Sequence, residues 1–195
     1  MNRLLQLALA FDAANLRLGR AVGVLILVMT LVSAFNALSR KLFSISSNAF
    51  LEAQWYLFSA VFLLAAGYTL LRNSHVRVDV LHVHLPVRAR LWIELLGTAL
   101  FLIPFALLVV RYGWPYFLDS VANREISLNA GGLAVWPVKL LIPLGFLLLL
   151  LQGLSQLVKI TAALQGRLPH HAITVAAIAQ QEASDERPRN GARDA

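Results

Sequence analysis

Cysteine is absent from this 195-residue chain. No disulfide, thiolate metal site or cysteine nucleophile can therefore form, and the redox state of its compartment leaves no mark on the sequence. Acidic residues are scarce, 10 against 17 Lys and Arg, for a net charge of +7. On a water-soluble domain that balance suggests nucleic acid. Here, however, only 14% of residues are charged while 58% are hydrophobic, and what matters is where the charges lie. Phosphate-cradling glycine loops are missing; Gly131-Gly132 is expected to be only a flexible turn. No Ser-His-Asp set lies near a segment apolar enough to form a pocket, so no catalytic nucleophile or base is nominated.

What the chain does contain is four long apolar runs bounded by charges. Arg20 and Arg40 enclose AVGVLILVMTLVSAFNALS, Glu52 and Arg72 enclose AQWYLFSAVFLLAAGYTLL, and Lys139 and Lys159 enclose LLIPLGFLLLLLQGLSQLV. The third, LLGTALFLIPFALLVV, lies between Glu94 and Arg111 and extends back through Leu91 if Glu94 sits at the headgroups. About 20 helical residues cross a hydrocarbon core of roughly 30 Å, so each run is long enough. A soluble bundle would need a polar stripe on every helix. LLLLLQGL and VLILVMTLV are apolar all round, so the sequence predicts an all-α integral membrane protein with spans at about 21–39, 53–71, 91–111 and 137–159.

The cations are one-sided. Arg3, Arg17 and Arg20, then Arg72, Arg77, Arg88 and Arg90, then Lys159, Arg167, Arg187, Arg189 and Arg193 fall on one side of the four spans; only Arg40, Lys41, Arg111, Arg124 and Lys139 fall on the other. Because Lys and Arg accumulate on the untranslocated side, both termini are expected in the cytoplasm. Aromatic placement agrees without using charge. Trp55, Tyr56, Tyr112, Trp114, Tyr116 and Trp136 sit at the expected outer helix ends, and Tyr68 and Trp92 at the inner ends.

Residues 1–20 resemble a signal peptide in outline, but Gln6 interrupts a minimal apolar core. Leu4, Leu7, Phe11, Ala14 and Leu18 recur at helical spacing while Arg3, Asp12 and Arg17 fall elsewhere, which predicts an interfacial amphipathic helix. The short first connection makes helices one and two antiparallel neighbours, with Ser47 the expected N-cap of the second. Pro104 and Pro143 should bend helices three and four. Residues 166–195 read as a polar, cytoplasmic, flexible tail.

Ionisable groups inside a membrane are functional by default, and none falls within the four apolar cores that the bounding charges enclose. Asn36, Thr69, Gln152 and Ser155 are the strongest polar groups there, and are expected to hydrogen-bond to neighbouring helices. The connection RNSHVRVDVLHVHLPVRAR alternates like a strand, although a short interfacial helix also fits. His75, His82, His84 and Asp79 suggest a metal cluster, but zinc and iron need three or four converging ligands. With Arg72, Arg77, Arg88 and Arg90 in or beside the same segment, a cationic loop holding lipid phosphate or a partner's carboxylates is the favoured reading, and no nucleic-acid partner or cofactor is called for.

The string EAQWYLFSAVFLLAAGYTLLRNSHVRVDVLHVHLP resembles the signature region of the small membrane subunit (DctQ-like) of TRAP transporters, the tripartite ATP-independent periplasmic carriers. An acidic residue opens helix two, small residues lie late in it, and an Arg and an H-x-x-V-D element follow; those positions are Glu52, Ala65, Ala66, Gly67, Arg72, His75, Val76, Val78, Asp79 and Leu81. LAVWPVKLLIPLGFLLLLLQGL resembles the family's helix-four pattern at Trp136, Pro143, Gly145, Phe146 and Gln152. The resemblance covers roughly residues 15–165. It implies a non-enzymatic subunit in a bacterial inner membrane that supports the scaffold of a large membrane subunit, with a periplasmic binding protein delivering the substrate. It further implies sodium-coupled uptake of an organic acid. The alternatives are a free-standing four-helix membrane enzyme or metal-binding protein using the His-rich connection, and a small homo-oligomeric channel.

Overall fold

A computed structural model describes residues 3–43, 47–72 and 85–166. Four helical spans form an antiparallel bundle. Helix α1 covers Arg3–Phe43 and α2 covers Asn48–Leu71. The third span is composite: α3, Val87–Gly97, opens into a π turn, Thr98–Leu102, and continues as α4, Ile103–Ala122. Helix α5 covers Trp136–Leu164. No strand forms among the described residues, only an isolated bridge between Ile126 and Ala134.

The amphipathic arm is continuous with the first span. Nothing between Arg3 and Phe43 breaks the helix, and its 41 residues at about 1.5 Å each make it roughly twice as long as the hydrocarbon core is thick. Ser47 does stand at the N-cap of α2 with an extended backbone, but its side chain makes no cap bond. Its carbonyl accepts from Phe50 N at 3.2 Å instead.

The third helix runs well past Arg111, the expected limit, to Ala122, through Pro115. Proline lacks an N–H and its ring crowds the preceding turn, so a helix must widen or kink before it. At Pro104 the expected disturbance takes the form of the π turn, in which Ile103 N bonds to Thr98 O. The fourth helix also exceeds its expected limits by a residue at the start and a turn at the end, and contains the buried Pro143.

Helix α5 is the hub: α1, α2 and α4 all pack on it, and α1 packs on α2. Apolar burial does not drive helices together in lipid, so close approach through small residues does. A Cβ on Gly145 would lie 2.8 Å from the Leu63 carbonyl oxygen, and one on Gly19 would lie 2.3 Å from the Tyr68 ring. Gly153 leaves room for Leu102 of the π turn in the same way, at 2.6 Å. Leu16 with Leu71, and Leu91 with Ile160 and Ala163, seal the end of the bundle nearest both termini.

Candidate functional site

Two polar constellations lie at opposite ends of the bundle, each made by residues remote in sequence. At the end nearest the termini, one face of the arm carries Asp12 and Asn15, three residues apart, and α5 carries Gln152, Ser155 and Lys159 at helical spacing. Packing α1 on α5 brings the two stripes together. Asp12 Oδ1 accepts from Gln152 Nε2 at 2.9 Å and from Ser155 Oγ at 2.8 Å, while Oδ2 accepts from Lys159 Nζ at 2.6 Å. Asn15 Nδ2 donates to Gln152 Oε1 at 2.8 Å. Gly67 of α2 closes over this cluster, since a Cβ there would meet Asn15 Nδ2 at 2.8 Å.

Asp12 is 0% and Lys159 4% exposed at the side chain. An isolated charge so placed would be prohibitive, but a pair with every carboxylate oxygen engaged is neutral as a unit. Three donors engage both carboxylate oxygens of Asp12, while Asn15 Oδ1 in the same cluster is buried without a hydrogen-bond partner. The arrangement is a clasp between the first and last helices. What it corrects is the placing of Asp12 on the polar, outward side of an interfacial arm: packing of α1 on α5 buries it, with Lys159, beside Gln152. Of the four expected helix-to-helix donors, Gln152 and Ser155 act as such; Thr69 bonds within its own helix, to Ala65 O at 2.9 Å.

At the opposite end Glu52, one turn into α2 and 4% exposed, organises the connection between α4 and α5. Its Oε1 accepts from Ser127 Oγ and from Asn129 Nδ2 at 2.7 Å, and its Oε2 accepts from Leu133 N at 2.7 Å. Asn48 Nδ2 adds a bond to Ala130 O at 3.1 Å. The Gly131-Gly132 turn, expected to be flexible, is therefore built in: Gly131 takes φ +72°, and a Cβ on Gly132 would lie 2.6 Å from Ser127 Cβ. Glu125 pairs with Lys139, whose ammonium also lies over the Tyr116 ring, 3.9 Å from its centroid. The Lys139 bond holds the Glu125 carboxyl below its ordinary value.

The remaining sequence-nominated residues scatter. Trp136 opens α5, half-exposed; Pro143 and Gly145 are buried at its crossings with α4 and α2. Arg72 lies over the Tyr68 ring, 5.2 Å from its centroid, and Arg90 Nε donates to Leu85 O at 2.9 Å. Arg88 is exposed at the start of α3. His75, Arg77 and Asp79, with His82 and His84, lie outside the described residues. Among the described residues no three His, Asp or Glu side chains converge as a metal site would require.

Residues 29–163 match the family model described as the DctQ component of tripartite ATP-independent periplasmic transporters. No individual curated protein matches the chain.

Proposed function

The chain belongs to the family of DctQ components of tripartite ATP-independent periplasmic transporters, and from that membership we propose how it works within such a transporter. It is a small permease subunit, multi-pass in the inner membrane. In our reading it enlarges the fixed scaffold of a large membrane subunit that itself carries the substrate and sodium sites. The complex takes up an organic acid handed over by a periplasmic binding protein, and the chain has no catalytic role.

The observation that carries this reading is the internal pairing of its buried charges. Asp12 and Lys159 neutralise each other, and the donors around them serve only to hold helices together. A buried carboxylate paired with an ammonium and bonded across two helices suits a support. The face it would offer is the third span, which leans on α5 alone for most of its packing and leaves Leu100, Phe101, Phe105 and Leu108 more than half exposed. Helix α5, embraced by three neighbours, has less free surface for that task.

We place both termini in the cytoplasm on the one-sided distribution of Lys and Arg. In a chain without cysteine, single cysteines at Leu128 and at Gln165 should then react with a membrane-impermeant thiol reagent from the periplasmic and the cytoplasmic side respectively. We assign Arg77, Arg88 and Arg90 to holding lipid phosphate or partner carboxylates, and His75 and Asp79 to bracing the connection itself; unchanged assembly and uptake after replacing His75 and Asp79 together by Ala would remove them from that role. The central test is co-purification of a tagged copy with the large subunit encoded beside it. A copy that remains alone when both are co-expressed defeats the scaffold reading.

A further inference from the structure

The buried positions of the third span follow two registers rather than one. Leu91 and Thr98 lie seven residues apart, and Ala106, Gly113 and Ser120 repeat at seven, but eight residues separate Thr98 from Ala106. Seven residues return a side chain to nearly the same face of a helix, so one residue is surplus between the two sets. Both sets pack on α5: Leu91 against Ile160 and Ala163, Thr98 and Leu102 around Gly153, and Gly113 against Ile142 and Pro143. The π turn at Thr98–Leu102 takes up the surplus residue and keeps both registers on that helix.

The turn leaves one backbone oxygen over. In a π turn each amide reaches back five residues instead of four, and Ile103 N accordingly bonds to Thr98 O rather than to Ala99 O. At that reach Ala99 O would be served by position 104, where proline has no N–H. Among the described residues, the side chains that donate to backbone oxygens serve other carbonyls. Ala99 lies about 7 Å of rise from Glu94 toward the middle of the span, inside the third apolar core. Lipid tails offer no donor at that depth, and a backbone oxygen without one is strongly disfavoured. Ala99 is half-buried, on the flank between Thr98, which faces α5, and the outward Leu100 and Phe101, the latter 76% exposed. Its oxygen is thus an acceptor at the edge of the apolar face that the third span leaves uncovered.

We propose that Ala99 O accepts a hydrogen bond from outside the chain, from a hydroxyl or carboxamide side chain on a transmembrane helix that lies along Leu100, Phe101 and Phe105. Resting on the scaffold reading above, that helix belongs to the large subunit. A donor that meets one carbonyl at one depth fixes the register of two faces that are otherwise apolar, in a medium where apolar contact supplies no hydrophobic driving force. Small residues opposite Phe101 would let the two backbones approach closely enough for the bond to form.

Two substitutions give Ala99 O a donor within the chain by different means. Pro104→Ala restores an amide that reaches it across a π turn, or frees Ile103 N to reach it if the turn relaxes to α-helix. Ile103→Thr keeps both the proline and the turn and places a hydroxyl where it bonds the carbonyl four residues back. Ile103→Val, equally branched but without the hydroxyl, is the control. Binding of the detergent-solubilised large subunit to the immobilised chain is measured for each, alongside the thermal midpoint of the chain alone. Pro104→Ala and Ile103→Thr should each weaken binding by about threefold to tenfold, as for an interhelical hydrogen bond in a membrane protein, while the chain alone becomes no less stable. Ile103→Val should bind as the wild type does. Unchanged binding in both Pro104→Ala and Ile103→Thr, or equal weakening by Ile103→Thr and Ile103→Val, overturns the intersubunit bond and leaves the scaffold reading standing. If the wild-type chain itself fails to capture the large subunit, the scaffold reading falls and the bond falls with it.

Discussion

Asp12 and Lys159, separated by 147 positions, meet at 2.6 Å with neither side chain more than 4% exposed. Removing one partner of such a pair leaves an uncompensated buried charge, which costs about 3–5 kcal/mol. Asp12→Ala should therefore lower the thermal midpoint in detergent sharply, whereas Asp12→Leu combined with Lys159→Met should recover much of the loss. A single variant as stable as the parent would show that the clasp contributes nothing net.

Glu52→Gln keeps the shape of the side chain but removes its charge and turns one of its two acceptor oxygens into a donor group that faces Ser127, Asn129 or Leu133. Each buried partner left unsatisfied costs about 1–3 kcal/mol. The effect should be local: faster amide exchange and protease cleavage between Glu125 and Val135, with the helices unaffected. Uniform destabilisation of the bundle would contradict the assignment of Glu52 to the loop.

Gly145→Ala places a methyl group 2.8 Å from the Leu63 carbonyl oxygen and 3.0 Å from its carbon, both backbone atoms that cannot rotate away. Helices α2 and α5 must separate, at an expected cost of about 1–3 kcal/mol. Gly23, whose added methyl group would meet nothing within 4 Å, supplies the control: Gly23→Ala should be neutral or gain up to about 1 kcal/mol in helix propensity. Equal effects at the two positions would mean that the crossing is looser than described.

The Glu125 carboxyl lies below its ordinary value, chiefly because Lys139 bonds it. A depressed carboxylate stabilises the folded loop above its unfolded pKa, and that contribution fades as pH falls through the folded value. Loop protection in hydrogen exchange, corrected for intrinsic rates, should hold at neutral pH and diminish in acid below the usual carboxylate range. Glu125→Gln should flatten that dependence; an identical profile in the variant would place the titration elsewhere.

The spans were legible because each is an uninterrupted apolar run, and neither helix type nor span count depends on tertiary detail. Their ends were less so. Arg111 looked like a boundary, yet α4 continues to Ala122, since an arginine with a long apolar stem can sit within a helix near the headgroups. Glu52 was nominated from the family resemblance, but its three loop partners lie 75 to 81 positions away and no periodicity announces them. The clasp left a fainter signal: Asp12 and Asn15 on one helix face, and Gln152, Ser155 and Lys159 on another. Two polar stripes of opposite charge, each on a segment otherwise suited to lipid, were visible in the sequence. What a single chain of letters does not give is that α1 and α5 are neighbours.

The clasp also sets an order of events. Helix α5 is the last span to leave the ribosome, so Asp12 waits through the synthesis of three spans before Lys159 can reach it. Until then the arm's polar face has no partner within the chain, and a nascent or truncated product lacking α5 carries an unmatched carboxylate at the membrane boundary. Completion of the polypeptide and closure of the bundle thus become one step, and the unfinished chain is chemically distinguishable from the finished one to any protease that surveys the membrane.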